Sequence, residues 1–170
     1  MKENGTAKAM TRRTMLGTLG VLAAAAATGL VTVGAPGSAA AQAQQFGQQE
    51  TVQDALKRLF GARPIKDGSA LVKLDNPLIA ENGAVVPVSI EAQSPMTPQN
   101  HVKGIYVIAD KNRIPVVTHV ALAPEAGVAF MGANIRLGET TDVRAIVEQS
   151  AGTLLAVKRE VKVTVGGCGG

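Results

Sequence analysis

Thr153-Leu154-Leu155-Ala156-Val157-Lys158-Arg159-Glu160-Val161-Lys162-Val163-Thr164-Val165 is the segment whose pattern sets the fold. Leu155, Val157, Val161, Val163 and Val165 share one side of an extended chain, interrupted only by Arg159. Ala156, Lys158, Glu160, Lys162 and Thr164 share the other. Alternation with a period of two, apolar against polar, predicts a β-strand with one dry face and one wet face.

The same period runs backward from this segment to Ser69, in short runs rich in Val, Ile and Thr separated by Gly, Pro, Asn and Asp. Candidate strands are Ala70–Leu74, Val85–Ala92, Lys103–Ala109, Pro115–Ala123, Val128–Met131, Asn134–Leu137 and Thr141–Glu148, followed by Thr153–Val165. Asn82-Gly83 and Asp110-Lys111-Asn112 supply turns. With no βαβ rhythm, this spacing predicts an all-β fold, an immunoglobulin-like antiparallel β-sandwich. Pro87 has no N–H to give to a ladder and belongs on an edge strand or at a bulge.

Ahead of the strands, Val52, Ala55, Leu56, Leu59 and Phe60 fall on one helix face. Thr51 can cap that helix, Asp54 suits its positive end, and Gly61 followed by Pro64 stops it, so a short helix is expected over about 51–61. Its apolar face either packs on the domain or docks another subunit.

The 170-residue chain has 17 Lys+Arg against 13 Asp+Glu. Much of that excess is Lys2, Lys8, Arg12 and Arg13, near the start. Residues 1–43 have the layout of a secretory leader: a basic start, an apolar stretch from Leu16 to Val33, and small-residue cleavage sites at Ala39-Ala40-Ala41 and Ala41-Gln42-Ala43. Thr11-Arg12-Arg13-Thr14-Met15-Leu16 resembles a twin-arginine export signal, although Gly17 departs from the pattern. The alternative is an uncleaved membrane anchor, for which the stretch is weakly hydrophobic. Removing the leader leaves a nearly neutral body of single-domain length, residues 44–165 forming the domain and 166–170 an arm. Near neutrality argues against nucleic-acid or anionic-membrane binding, which need clustered positive charge. No Trp, one Tyr and three Phe give no platform for stacked bases.

The chain ends Gly166-Gly167-Cys168-Gly169-Gly170. Its only cysteine, Cys168, excludes internal disulfides. Flanking glycines are costly to order, so residues 166–170 are expected to swing freely, with the thiol reaching roughly 10 Å beyond the sheet. An ordinary thiol, with a pKa of about 8.5, is only slightly ionised at neutral pH. No base stands beside Cys168 in sequence, so activation is expected from whichever active site receives the arm. Cys168 thus reads as a carrier's attachment point; the alternatives are a binding module dimerised through a Cys168 disulfide and a weak thiol enzyme. His101 and His119, the only histidines, lie in no metal-ligand spacing, and neither a metal nor a cofactor is expected. Asp75, Glu81, Asp110 and Asp142 read as solvated residues beside turns and strand ends.

The leader, the small β-rich domain behind a short helix, and the terminal Gly-Gly-Cys-Gly-Gly together resemble the SoxY family, sulfur carriers of the periplasmic thiosulfate-oxidising (Sox) system. The resemblance implies that Cys168 binds the substrate covalently, with Gly166, Gly167, Gly169 and Gly170 as the flexible arm. It implies a heterodimer with a leaderless SoxZ-like subunit, which Arg12 and Arg13 would export together with this chain. It also implies visits to a c-type cytochrome, a sulfate-releasing hydrolase and a sulfur dehydrogenase, and a periplasmic location.

Overall fold

A computed structural model describes residues 46–167. The leader, Arg12 and Arg13, and Cys168, Gly169 and Gly170 lie outside the described residues.

Helix α1 (Val52–Phe60) forms where its apolar spacing predicts. Thr51 caps it, its Oγ1 accepting from the Asp54 amide at 3.2 Å. Gly61 ends it at φ 63°, a backbone angle that favours glycine, and donates to the Lys57 carbonyl at 2.8 Å. Nine strands follow: β1 (Ile65–Asp67), β2 (Val72–Asp75), β3 (Ile79–Asn82), β4 (Val86–Ala92), β5 (Val102–Ala109), β6 (Val116–Ala121), β7 (Ala129–Ile135), β8 (Thr141–Gln149) and β9 (Leu154–Val165).

The larger sheet runs β1-β9-β8-β5-β6, with β3 also paired to β9; the smaller runs β2-β4-β7. The main core fills the space between them with Val86, Ile90, Ile105, Val107, Leu137, Val143, Val147 and Val161, all buried. The β-sandwich predicted from the alternation is therefore present.

Four particulars differ from the sequence reading. Two strands escaped it: β1 and β3 are three and four residues long, mostly exposed, and lack the alternating pattern. Both pair parallel to β9, Ile65 opposite Leu154 and Ile79 opposite Lys162, so the sheet is not purely antiparallel. The expected strands Val128–Met131 and Asn134–Leu137 are one, β7, which passes unbroken through Gly132 and pairs with β4 from Ala129 to Ile135. Strand β4 is central, yet Pro87 pairs only with Asn134 of β7, because β2 ends opposite Ser89. Its missing N–H leaves no ladder bond unmade.

The fourth concerns β9, whose second face is wet only beyond its start. Leu154 is buried in a separate cluster with Phe60, Ile108 and Ile146, against which Val52, Leu56, Leu59 and Ala156 pack. Helix α1 thus covers the outer face of the larger sheet over β5, β8 and the start of β9, which places its apolar side on its own domain. At the other end Val165 is exposed although it continues the dry stripe, since the core stops at Val163.

Among the few aromatic residues, three of four join His119 in one row. Phe46 stacks on His119 at 4.8 Å, His119 meets Tyr106 at 4.6 Å, and Tyr106 meets Phe60 edge-on at 5.0 Å. The Arg63 guanidinium lies 5.7 Å from the Phe60 ring centre. This row ties the segment before α1 to β6, assisted by bonds from the Glu50 amide to the Arg113 carbonyl and from Arg113 to Gln49. Burial holds the His119 pKa below its usual 6.5, the nearby Glu148 charge opposing it. Burial raises the Tyr106 pKa.

Two expectations follow. Leu154→Ala should lower unfolding free energy by about 2–5 kcal/mol, while Val165→Ala should change it by less than about 0.5 kcal/mol; denaturant titration checks both. The second concerns pH. A base whose folded pKa is depressed is favoured neutral in the native state, so the His119 contribution is complete above pH 6.5 and is lost as pH falls through its lower folded value. Melting temperature should fall across that acid range, and His119→Phe should flatten the slope relative to the parent protein.

Candidate functional site

The end of β9 is built from backbone. Lys162 donates its amide to the Leu78 carbonyl beside β3 at 2.9 Å, and the next amide, Val163, donates to Thr140 Oγ1 at 2.9 Å on the opposite edge. The strand is thus held on both sides as it runs out. Thr164 Oγ1 adds a bond to the Glu81 carbonyl at 2.8 Å.

Gly83 then closes a short ladder across the chain's end. Its amide donates to the Val165 carbonyl at 2.7 Å, and its carbonyl accepts from Leu137 at 2.7 Å. Leu137 in turn accepts from the Gly167 amide at 3.0 Å. Leu137 is buried in the main core, so the ladder is fixed to the interior of the domain. Asn112 secures the far side: Nδ2 donates to the Arg136 carbonyl at 2.8 Å, and Oδ1 accepts from the Gly138 amide at 3.2 Å. It is a buried polar residue with both ends of its amide used, and it reads in the sequence only as part of a turn cluster.

Of the arm expected over residues 166–170, Gly166 and Gly167 are among the described residues. Gly167 is buried and hydrogen-bonded, and Gly166 lies against Gly138. The cause is the absence of a side chain, which in the sequence reads as looseness but lets backbone approach backbone. Cys168, Gly169 and Gly170, which carry the proposed chemistry and the rest of the arm, lie outside the described residues. Cys168 is nonetheless one peptide bond from a fixed residue.

His119 is held in the aromatic row, and His101 sits before β5 with Nδ1 3.1 Å from the Thr97 carbonyl. Among the described residues no group of three or more His, Cys, Asp or Glu could hold a metal ion. Asp110, read as solvated, instead takes both Nε and Nη2 of Arg144, at 3.0 and 2.6 Å, and Asp142 pairs with Lys158 at 2.9 Å. The Asp110 pair is a two-point bond between partly buried groups and raises the Arg144 pKa; it is structural.

Comparison with known proteins identifies the family and the fold. The family model of the sulfur oxidation protein SoxY matches residues 56–168, a span that includes the terminal cysteine. A solved structure of the sulfur carrier protein SoxY from Chlorobium limicola f thiosulfatophilum is similar at 30% identity, covering 68% of this chain and 97% of that one, with a TM-score of 0.56. A superoxide reductase (neelaredoxin) from Ignicoccus hospitalis is similar in fold alone, at 15% identity and a TM-score of 0.51 over 56% of this chain and 82% of that one. No curated protein sequence matches. From residue 56 to its terminal cysteine, the chain belongs to the SoxY family of sulfur oxidation proteins.

Proposed function

We propose that the chain is a covalent carrier of sulfur intermediates in thiosulfate oxidation, with Cys168 as the point of attachment. The observation that carries this reading is the reach of the family match to residue 168, the lone cysteine of the Gly-Gly-Cys-Gly-Gly terminus. A thiol three residues beyond the last strand, with glycine on both sides, can be presented to other proteins without unfolding the domain. No base accompanies it in sequence, which suits a substrate of partner enzymes rather than an enzyme.

The chemistry proceeds in two steps. Thiol and thiosulfate lose two electrons and one proton, joining through a new S–S bond as a cysteine S-thiosulfonate; a c-type cytochrome takes the electrons. Water then cleaves the sulfonate group as sulfate, leaving a persulfide on Cys168, and a hydrolase supplies that site. A sulfur dehydrogenase would oxidise the remaining outer sulfur. The carrier works in the periplasm as a heterodimer with a SoxZ-like subunit, the folded pair crossing together on this chain's twin-arginine leader.

Cys168→Ser should leave melting temperature unchanged, since it exchanges one atom in a glycine-flanked terminal segment, yet abolish thiosulfate-dependent turnover in a reconstituted system. Continued turnover with that variant would sink the assignment. For export, deleting Arg12 and Arg13 should leave the leaderless subunit in the cytoplasm, as read by fractionation; unchanged export of that subunit would refute joint crossing.

A further inference from the structure

We infer that Gly83, Gly166 and Gly167 form a steric clamp that fixes the root of the cysteine arm, with Gly83 a positioning residue for the carrier thiol. The constraint is one of space. A β-carbon on Gly83 would sit 2.2 Å from the Leu137 carbonyl oxygen and 2.9 Å from the Gly167 nitrogen. One on Gly166 would sit 2.3 Å from the Gly138 carbonyl oxygen. One on Gly167 would sit 2.7 Å from the Ala84 nitrogen and 2.8 Å from its Cα. Each of these closest obstacles is backbone, which cannot rotate aside as a side chain can.

None of the three glycines has a φ in the left-handed region, unlike Gly47, Gly61, Gly127 and Gly152. Any residue could adopt their backbone angles, so the requirement is for room alone. The surrounding wall is rigid: Leu137 is buried, Asn112 binds both Arg136 and Gly138, and the Asn82 side chain accepts from the Ala84 amide at 2.8 Å. Three backbone segments therefore meet at one point, joined by the Val165–Gly83, Gly83–Leu137 and Leu137–Gly167 hydrogen bonds.

The consequence for delivery rests on the carrier reading of Cys168. With Gly167 fixed, consecutive Cα atoms about 3.8 Å apart and a short cysteine side chain keep the sulfur within roughly 6–7 Å of the Gly167 Cα. A receiving enzyme that docks on the rim beside Gly83 and Gly138 meets the thiol within that radius. The clamp raises the effective concentration of the thiol at that docked position by restricting the volume it searches.

Amide hydrogen exchange on the ¹⁵N-labelled protein tests the clamp, and adduct transfer to the purified sulfate-releasing hydrolase tests its use. In the parent protein the Gly167 amide should exchange at least about a hundredfold more slowly than in an unstructured peptide. Gly83→Ala should abolish that protection while core amides such as Ile105 and Val147 stay protected, and Gly169→Ala should leave Gly167 protected. In the transfer assay Gly83→Ala should raise KM by about three- to tenfold with kcat unchanged. Should Gly83→Ala fail to fold, Gly166→Ala substitutes for it, because Gly166 is exposed and meets only Gly138. Exchange of the parent Gly167 amide at the peptide rate, or equal effects of alanine at 83 and 169, would overturn the clamp. Protection at Gly167 with no sulfur adduct on Cys168 would instead leave the clamp standing and remove the carrier reading.

Discussion

Hydrogen bonding along both edges of β9 is the constraint on which the rest of the molecule depends. Strand β8 pairs with it from Leu154 to Val161, while β1 and β3 pair parallel to it at its two ends. Because β1 and β3 are short and largely exposed, they gain their place from this pairing and contribute little burial of their own. The same strand faces two cores at its start, the inter-sheet core through Leu155 and the helix-side cluster through Leu154. A strand held in this way carries the chain to the rim of the sandwich as a fixed rod, and Gly166 and Gly167 follow directly from it.

What lies at the rim is a junction of backbone segments. Gly83, Leu137 and Gly167 are linked by hydrogen bonds into the buried interior, and the space between them excludes a β-carbon. Rigid presentation and a reactive thiol have complementary roles here. In the proposed carrier, the domain supplies the location, and the chemistry of sulfur oxidation is left to enzymes that dock against it. Neither the aromatic row at His119 nor the Asp110–Arg144 pair takes part; both secure the sandwich and the segment leading into α1.

Much of the fold was legible in the sequence because alternation records burial on one face. The runs that became β4, β5, β8 and β9 were readable for that reason, as was α1 from its capped, periodic apolar face. Strands β1 and β3 were not, since an exposed edge strand of three or four residues bears no alternation. Gly132 read as a break between two strands and is a strand residue, because pairing with β4 decides what a single glycine cannot. The proposed attachment residue was legible as a lone cysteine between glycines. Its setting was not: Gly83 has the look of an ordinary Asn-Gly turn, and Gly166 and Gly167 of a loose tail. A glycine written for freedom and one written for close approach are the same letter, and only the neighbouring backbone tells them apart.

Mass spectrometry of protein purified without reductant from cells oxidising thiosulfate is the most direct test of the central claim. A carrier should yield a terminal peptide whose Cys168 bears an added sulfur atom or a whole thiosulfate group, both removed by reductant. Finding Cys168 only as free thiol or disulfide, in cells actively oxidising thiosulfate, would contradict it.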